Sequence, residues 1–164
     1  MRSVLAVMLA TFAPAAVQAA CVPVPMPETS TELRSSFGIR MQQLGAGDWS
    51  FAIETPRGTM YHSRSTLVRF FTKEAGDRIE EAGLLLPPEG TTADAARMEA
   101  AATFLGAHIS GSSESNLQSR VTRAIAVTRR DGTGQAVRED DTVLMFSSPE
   151  PGAVALVAGR MRCR

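Results

Sequence analysis

Leu33, Phe37, Met41 and Leu44 recur at spacings of four, four and three, which lines one side of a helix. Ser30 or Thr31 can cap that helix and Gly45 can end it. The period then changes to two. Trp49-Ser50-Phe51-Ala52-Ile53-Glu54 alternates large apolar residues with small or polar ones, the mark of a half-buried strand. Thr55-Pro56-Arg57-Gly58-Thr59 has turn chemistry and Met60-Tyr61-His62-Ser63 returns, so residues 49–63 are expected to form a β-hairpin. Ser65 can open a helix with Leu67, Phe70 and Phe71 inward, stopped by Gly76. Asp77 and Glu80 resemble a second cap leading into Leu84-Leu85-Leu86, which Pro87-Pro88 ends. Thr91 or Thr92 caps an Ala-rich helix at 93–107 with Met98, Ala101, Ala102 and Leu105 on one side. After a polar connection at 110–116, residues 120–130 read as a strand carrying Val121, Ile125 and Val127 on one parity. Asp131-Gly132-Thr133-Gly134 turns the chain, Thr142-Val143-Leu144-Met145-Phe146 is a second strand, and residues 153–161 return after Pro149-Glu150-Pro151-Gly152. The expected class is α+β: an N-terminal helix, a β-hairpin, central helices and a C-terminal three-stranded antiparallel meander.

The hairpin's register decides which face His62 occupies, because a slip of one residue inverts every side chain. A three-residue loop with Gly58 as a bulge pairs Ile53 with Tyr61. It turns Trp49, Phe51 and Ile53 toward the helices with Tyr61 beneath them, and leaves His62 on the solvent side. A two- or four-residue loop pairs Phe51 with His62 instead and is expected to put the imidazole in the core. The Pro-x-Gly signature favours the bulge.

Composition and charge narrow the function classes. The chain has 164 residues, 44% hydrophobic, with 17 basic and 17 acidic residues. That balance excludes a wholly disordered chain and argues against a dedicated nucleic-acid binder, which would show a basic excess. Residues 1–19 combine Arg2, a continuous apolar run from Val4 to Phe12 and small residues ending Val17-Gln18-Ala19, the pattern of a cleaved export signal. Pro14 interrupts the run before it reaches the roughly 20 apolar residues of a spanning helix, so no transmembrane segment is expected in the mature form. Residues 20–29, with Pro23, Pro25 and Pro27, form an extended lead-in, and 30–164 form the folded α+β domain. A periplasmic or secreted location makes a Cys21–Cys163 disulfide the default. The alternative, a lipid anchor on Cys21, would leave Cys163 without a partner and has Gln18 where an aliphatic residue is expected.

Candidate chemistry is sparse. There is no Gly-x-Ser-x-Gly elbow, and two histidines and two cysteines do not make a metal site, so neither metal nor cofactor is expected. His62 is the one general-base candidate, with Glu54, Tyr61 and Arg64 near it on the hairpin. His108 reads as a helix C-terminal residue favoured by the dipole. Arg123, Arg160 and Arg162, together with Arg64, could hold an anionic group, although nearby acids offer each guanidinium an ordinary ion pair. Two functions are therefore weighed. One is an exported, non-catalytic binding or envelope accessory protein whose partner is a protein or an anionic envelope component. The other is a small secreted hydrolase using His62.

Overall fold

The computed structural model describes residues 21–45, 51–55, 58–62, 68–88 and 92–163. The expected export signal, Trp49 and Arg64 lie outside them. The elements in chain order are β1 (Cys21–Val24), α1 (Ser30–Gln43), β2 (Phe51–Thr55), β3 (Gly58–His62), β4 (Arg69–Ala75), β5 (Arg78–Leu86), α2 (Thr92–Ser110), α3 (Glu114–Asp131), β6 (Gln135–Glu139), β7 (Thr142–Ser147) and β8 (Val154–Cys163). All pairings are antiparallel, in the order β2-β3-β4-β5-β8-β7-β6, with β1 added to the end of β8. The class is α+β, and a three-stranded meander, β6-β7-β8, closes the chain.

The first helix forms where its stripe predicts. Leu33, Phe37 and Met41 are buried, and the N-cap is Thr29, one residue before the expected Ser30. The Thr29 hydroxyl accepts from the Glu32 backbone N–H, and the Glu32 carboxylate accepts from Thr29 N–H in return, a capping box that lowers the Glu32 carboxyl pKa. Ser30 is freed to reach the Thr72 hydroxyl at 2.6 Å, which ties α1 to β4. The Phe37 ring stacks on Phe70 at 4.7 Å.

Two stretches depart from the expected elements. Residues 69–86 are a β-hairpin and not a helix with a following turn: Gly76, at φ 69°, and Asp77 join β4 to β5. Gly-Asp between strands is a hairpin connection because glycine takes positive φ without a Cβ penalty. Residues 114–131 are helix and not strand. Leu117, Val121, Ala124, Ile125 and Thr128 are buried at helical spacing, and Gly132, at φ 65°, caps the end by donating to the Thr128 carbonyl. The meander consequently begins at Gln135.

All three helices lie against one face of the sheet. Leu84, Leu144, Phe146 and Leu156 from the strands share one cluster with Leu33, Leu105, Leu117 and Ile125 from the helices. Four residues of the proline-rich stretch, Cys21–Val24, form β1 and pair with β8, with Cys21 opposite Cys163. These two cysteines are bonded across a separation of 142 residues. A loop of that length stabilises the fold by about 5 kcal/mol in the chain-entropy model. The sulfur that a lipid anchor would use is inside the bond. No helix among the described residues is long and apolar enough to cross a membrane.

Candidate interaction surface

The β2–β3 register corrects the expected hairpin. Thr55 pairs with Gly58, Ile53 with Met60, Ala52 with Tyr61 and Phe51 with His62, so only two residues separate the strands and there is no bulge at Gly58. Tyr61 is inward, 7% exposed, with the Arg34 guanidinium 5.0 Å over its ring and Phe70 at 5.9 Å. Because Phe51 and Ile53 alternate with Ala52, their positions share the face opposite Tyr61. The face expected to meet the helices is the one turned away from them. Position 62 is on that outer face with them, so pairing with Phe51 does not place it in the helix-covered core.

This register also separates the proposed catalytic group. Glu54 pairs with Thr59, which pairs with Thr72, on the helix side with Tyr61, whereas position 62 is on the other side. The arginine candidates are divided as well. Arg160 Nε donates to Asp141 Oδ2 at 3.0 Å, and Arg120, which is not one of the candidates, is paired with Glu139. These guanidinium groups hold both carboxyl pKa values down; Ser112 adds a hydrogen bond to Glu139. Arg123 is exposed on α3 and Arg162 is exposed near the end of β8, on different elements. His108 lies 2.9 Å from Glu28 and packs against the Phe104 ring, joining α2 to the lead-in. Among the described residues no three His, Cys, Asp or Glu side chains converge on a metal position.

What the strands do assemble is apolar. Following pairing across the sheet, Ile53, Met60, Phe71, Gly83, Val157, Met145 and Ala136 stand in one line on the outer face. At about 4.8 Å per strand the line spans about 30 Å. Met145 is 57% exposed, Ala136 is exposed, and Phe71 and Val157 are half-buried. Leu85 and Ala155 widen the line on one side, and Val143 does so on the other. A Cβ at Gly83 would collide with the Phe71 ring and the Leu156 carbonyl oxygen, so glycine lets the ring lie across the strand. Outside the line run charges of both signs: Arg69 beside Leu85, then Lys73, Glu81 and Arg138. Lys73 reaches Glu80 at 3.0 Å and Glu81 at 3.6 Å, which raises its pKa.

An antiparallel sheet with one face on the core ordinarily turns polar residues outward. Here the outward line is apolar across the width of the sheet. Sequence reasoning missed it because it depends on strand order and register. The adjacent pairs Phe70-Phe71, Leu84-Leu85, Met145-Phe146 and Leu156-Val157 were the available signal. No protein-family model matches the chain, and no curated protein or solved structure matches it.

Proposed function

We propose that the chain is an exported, non-catalytic binding protein that holds a protein partner against the outer face of its sheet. The observation that carries the reading is the apolar line from Phe71 to Met145 on the face opposite the three described helices. A protein is favoured over an anionic envelope component because the border of the line mixes cations and anions, and because Arg160, one of the candidate arginines, is engaged by Asp141. The Cys21–Cys163 bond suits an oxidising compartment, in keeping with the export signal read at residues 1–19.

The test uses the mature, disulfide-bonded protein as bait in an envelope extract, beside Met145→Glu and Val157→Glu variants. The wild type should retain a partner that both variants lose, with melting temperatures nearly unchanged. The same captured proteins on all three baits would refute the reading, as would variants that unfold.

A further inference from the structure

A second feature lies on the helical side, far from the outer face in chemistry as well as in position. Between α1, α2 and the first turns of α3 there is a cleft of about 230 Å³, with Arg40, Glu99, Thr103, Glu114 and Gln118 supplying its polar groups. Ala96 and Ala100 complete the α2 side, and their small side chains leave the space open. The volume corresponds to about eight waters at about 30 Å³ each, below the range of drug-sized pockets.

Two polar atoms in this lining have no hydrogen-bond partner among the described residues. Thr103 is 2% exposed and its hydroxyl makes no hydrogen bond; Arg40 Nε is buried and likewise unpartnered. Thr128 Oγ1 is also unpartnered but does not line the cleft. Buried donors are almost always satisfied, so two on one small cleft mark a place where a ligand can complete the bonding. Charge selects the ligand's sign. Arg40 Nη2 is 2.8 Å from Glu114 Oε2, and Glu99 Oε2 accepts from the Thr122 hydroxyl at 3.0 Å. One guanidinium faces two carboxylates, leaving a net formal charge of −1 and a second oxygen on each carboxylate that can accept.

We propose that this cleft binds a small primary-ammonium compound that also carries a hydroxyl or carbonyl oxygen, the class that ethanolamine and glycinamide represent. The ammonium donates to Glu99 and Glu114, and the oxygen accepts from Arg40 Nε–H or the Thr103 hydroxyl. An anion would meet the excess carboxylate, and a quaternary ammonium has no N–H to donate.

The experiment is calorimetric titration of the mature, disulfide-bonded protein with ethanolamine, glycinamide, acetate and tetramethylammonium, with melting curves of the ligand-free variants alongside. Both amines should bind with one-to-one stoichiometry, and acetate and tetramethylammonium should not. Thr103→Val should leave the melting temperature equal or higher, because no native hydrogen bond is lost, and weaken ethanolamine binding about tenfold. Glu99→Gln, which keeps an acceptor for Thr122, should weaken binding similarly without a change in melting. Absence of binding by both amines, equal binding of acetate, or a Thr103→Val protein that melts lower and binds ethanolamine as well as the wild type would overturn the assignment.

Discussion

Two lines of positions cross the sheet one residue apart and meet opposite fates. The inner line, Ala52-Tyr61-Phe70-Leu84-Leu156-Phe146-Gln135, includes four side chains that are at most 2% exposed beneath the helices. The outer line, Ile53-Met60-Phe71-Gly83-Val157-Met145-Ala136, is almost as apolar, and no helix among the described residues lies over it. Hydrophobicity alone therefore does not distinguish core from surface in this molecule. The distinction comes from which parity the helices cover, and stability and binding should divide along it.

The largest effect should follow from the inner line. Phe70→Ala removes a fully buried ring stacked on Phe37 and should cost about 3–5 kcal/mol in denaturant unfolding. A loss below about 1 kcal/mol would mean the helices do not seal this face. Next is Gly83→Ala, an outer position that is nonetheless constrained. The added methyl would strike the Phe71 ring and a strand carbonyl, with an expected cost of about 1–3 kcal/mol measured the same way.

A smaller effect is expected from acid at the β6–β7 end of both lines. The Glu139 and Asp141 carboxyl pKa values are lowered in the fold, chiefly by Arg120 and Arg160. A depressed carboxyl contributes stability above its unfolded pKa, about 4, and that contribution disappears as pH falls through the folded value. The melting temperature should hold through neutral pH and decline in acid below about pH 4, and Glu139→Gln with Asp141→Asn should flatten that decline. Smallest of all should be Met145→Glu, where a side chain already 57% exposed is changed and the stability loss should stay within about 0.5 kcal/mol.

How far the sequence could be read follows from the same two lines. Helix α1 was legible because Leu33, Phe37 and Met41 recur at helical spacing among polar neighbours at Glu32, Arg34, Arg40 and Gln42, with only Ile39 apolar off the stripe. The disulfide was legible from the apolar run Val4–Phe12, read as an export signal, and from a single pair of cysteines at positions 21 and 163. Strands β4 and β5 were read as helix and turn because Phe70-Phe71 and Leu84-Leu85-Leu86 place apolar residues on both faces, which erases the period of two. Residues 120–130 held a contrary signal that alternation overlooked. Arg123 and Arg129 share the parity of Val121 and Ile125, which a half-buried strand would not allow, whereas a helix puts Arg123 on the exposed side and buries Ala124 and Thr128. The hairpin register at Thr55–Gly58 turns on one residue of loop length, and the outer line could be seen only once the order β4-β5-β8-β7 had joined residues far apart in the chain. The polar cleft was equally hidden, because it collects one residue from α1 with others from α2 and α3.

The most direct test of the outer face is photo-crosslinking in intact cells that produce the protein. A photoreactive residue replaces Met145 in one variant and the exposed helix residue Ala126 in another. Position 145 should give one discrete adduct with another protein and position 126 none. Equal adducts from both positions, or none from position 145 while the protein is folded, would contradict the assignment of the apolar line as the binding surface.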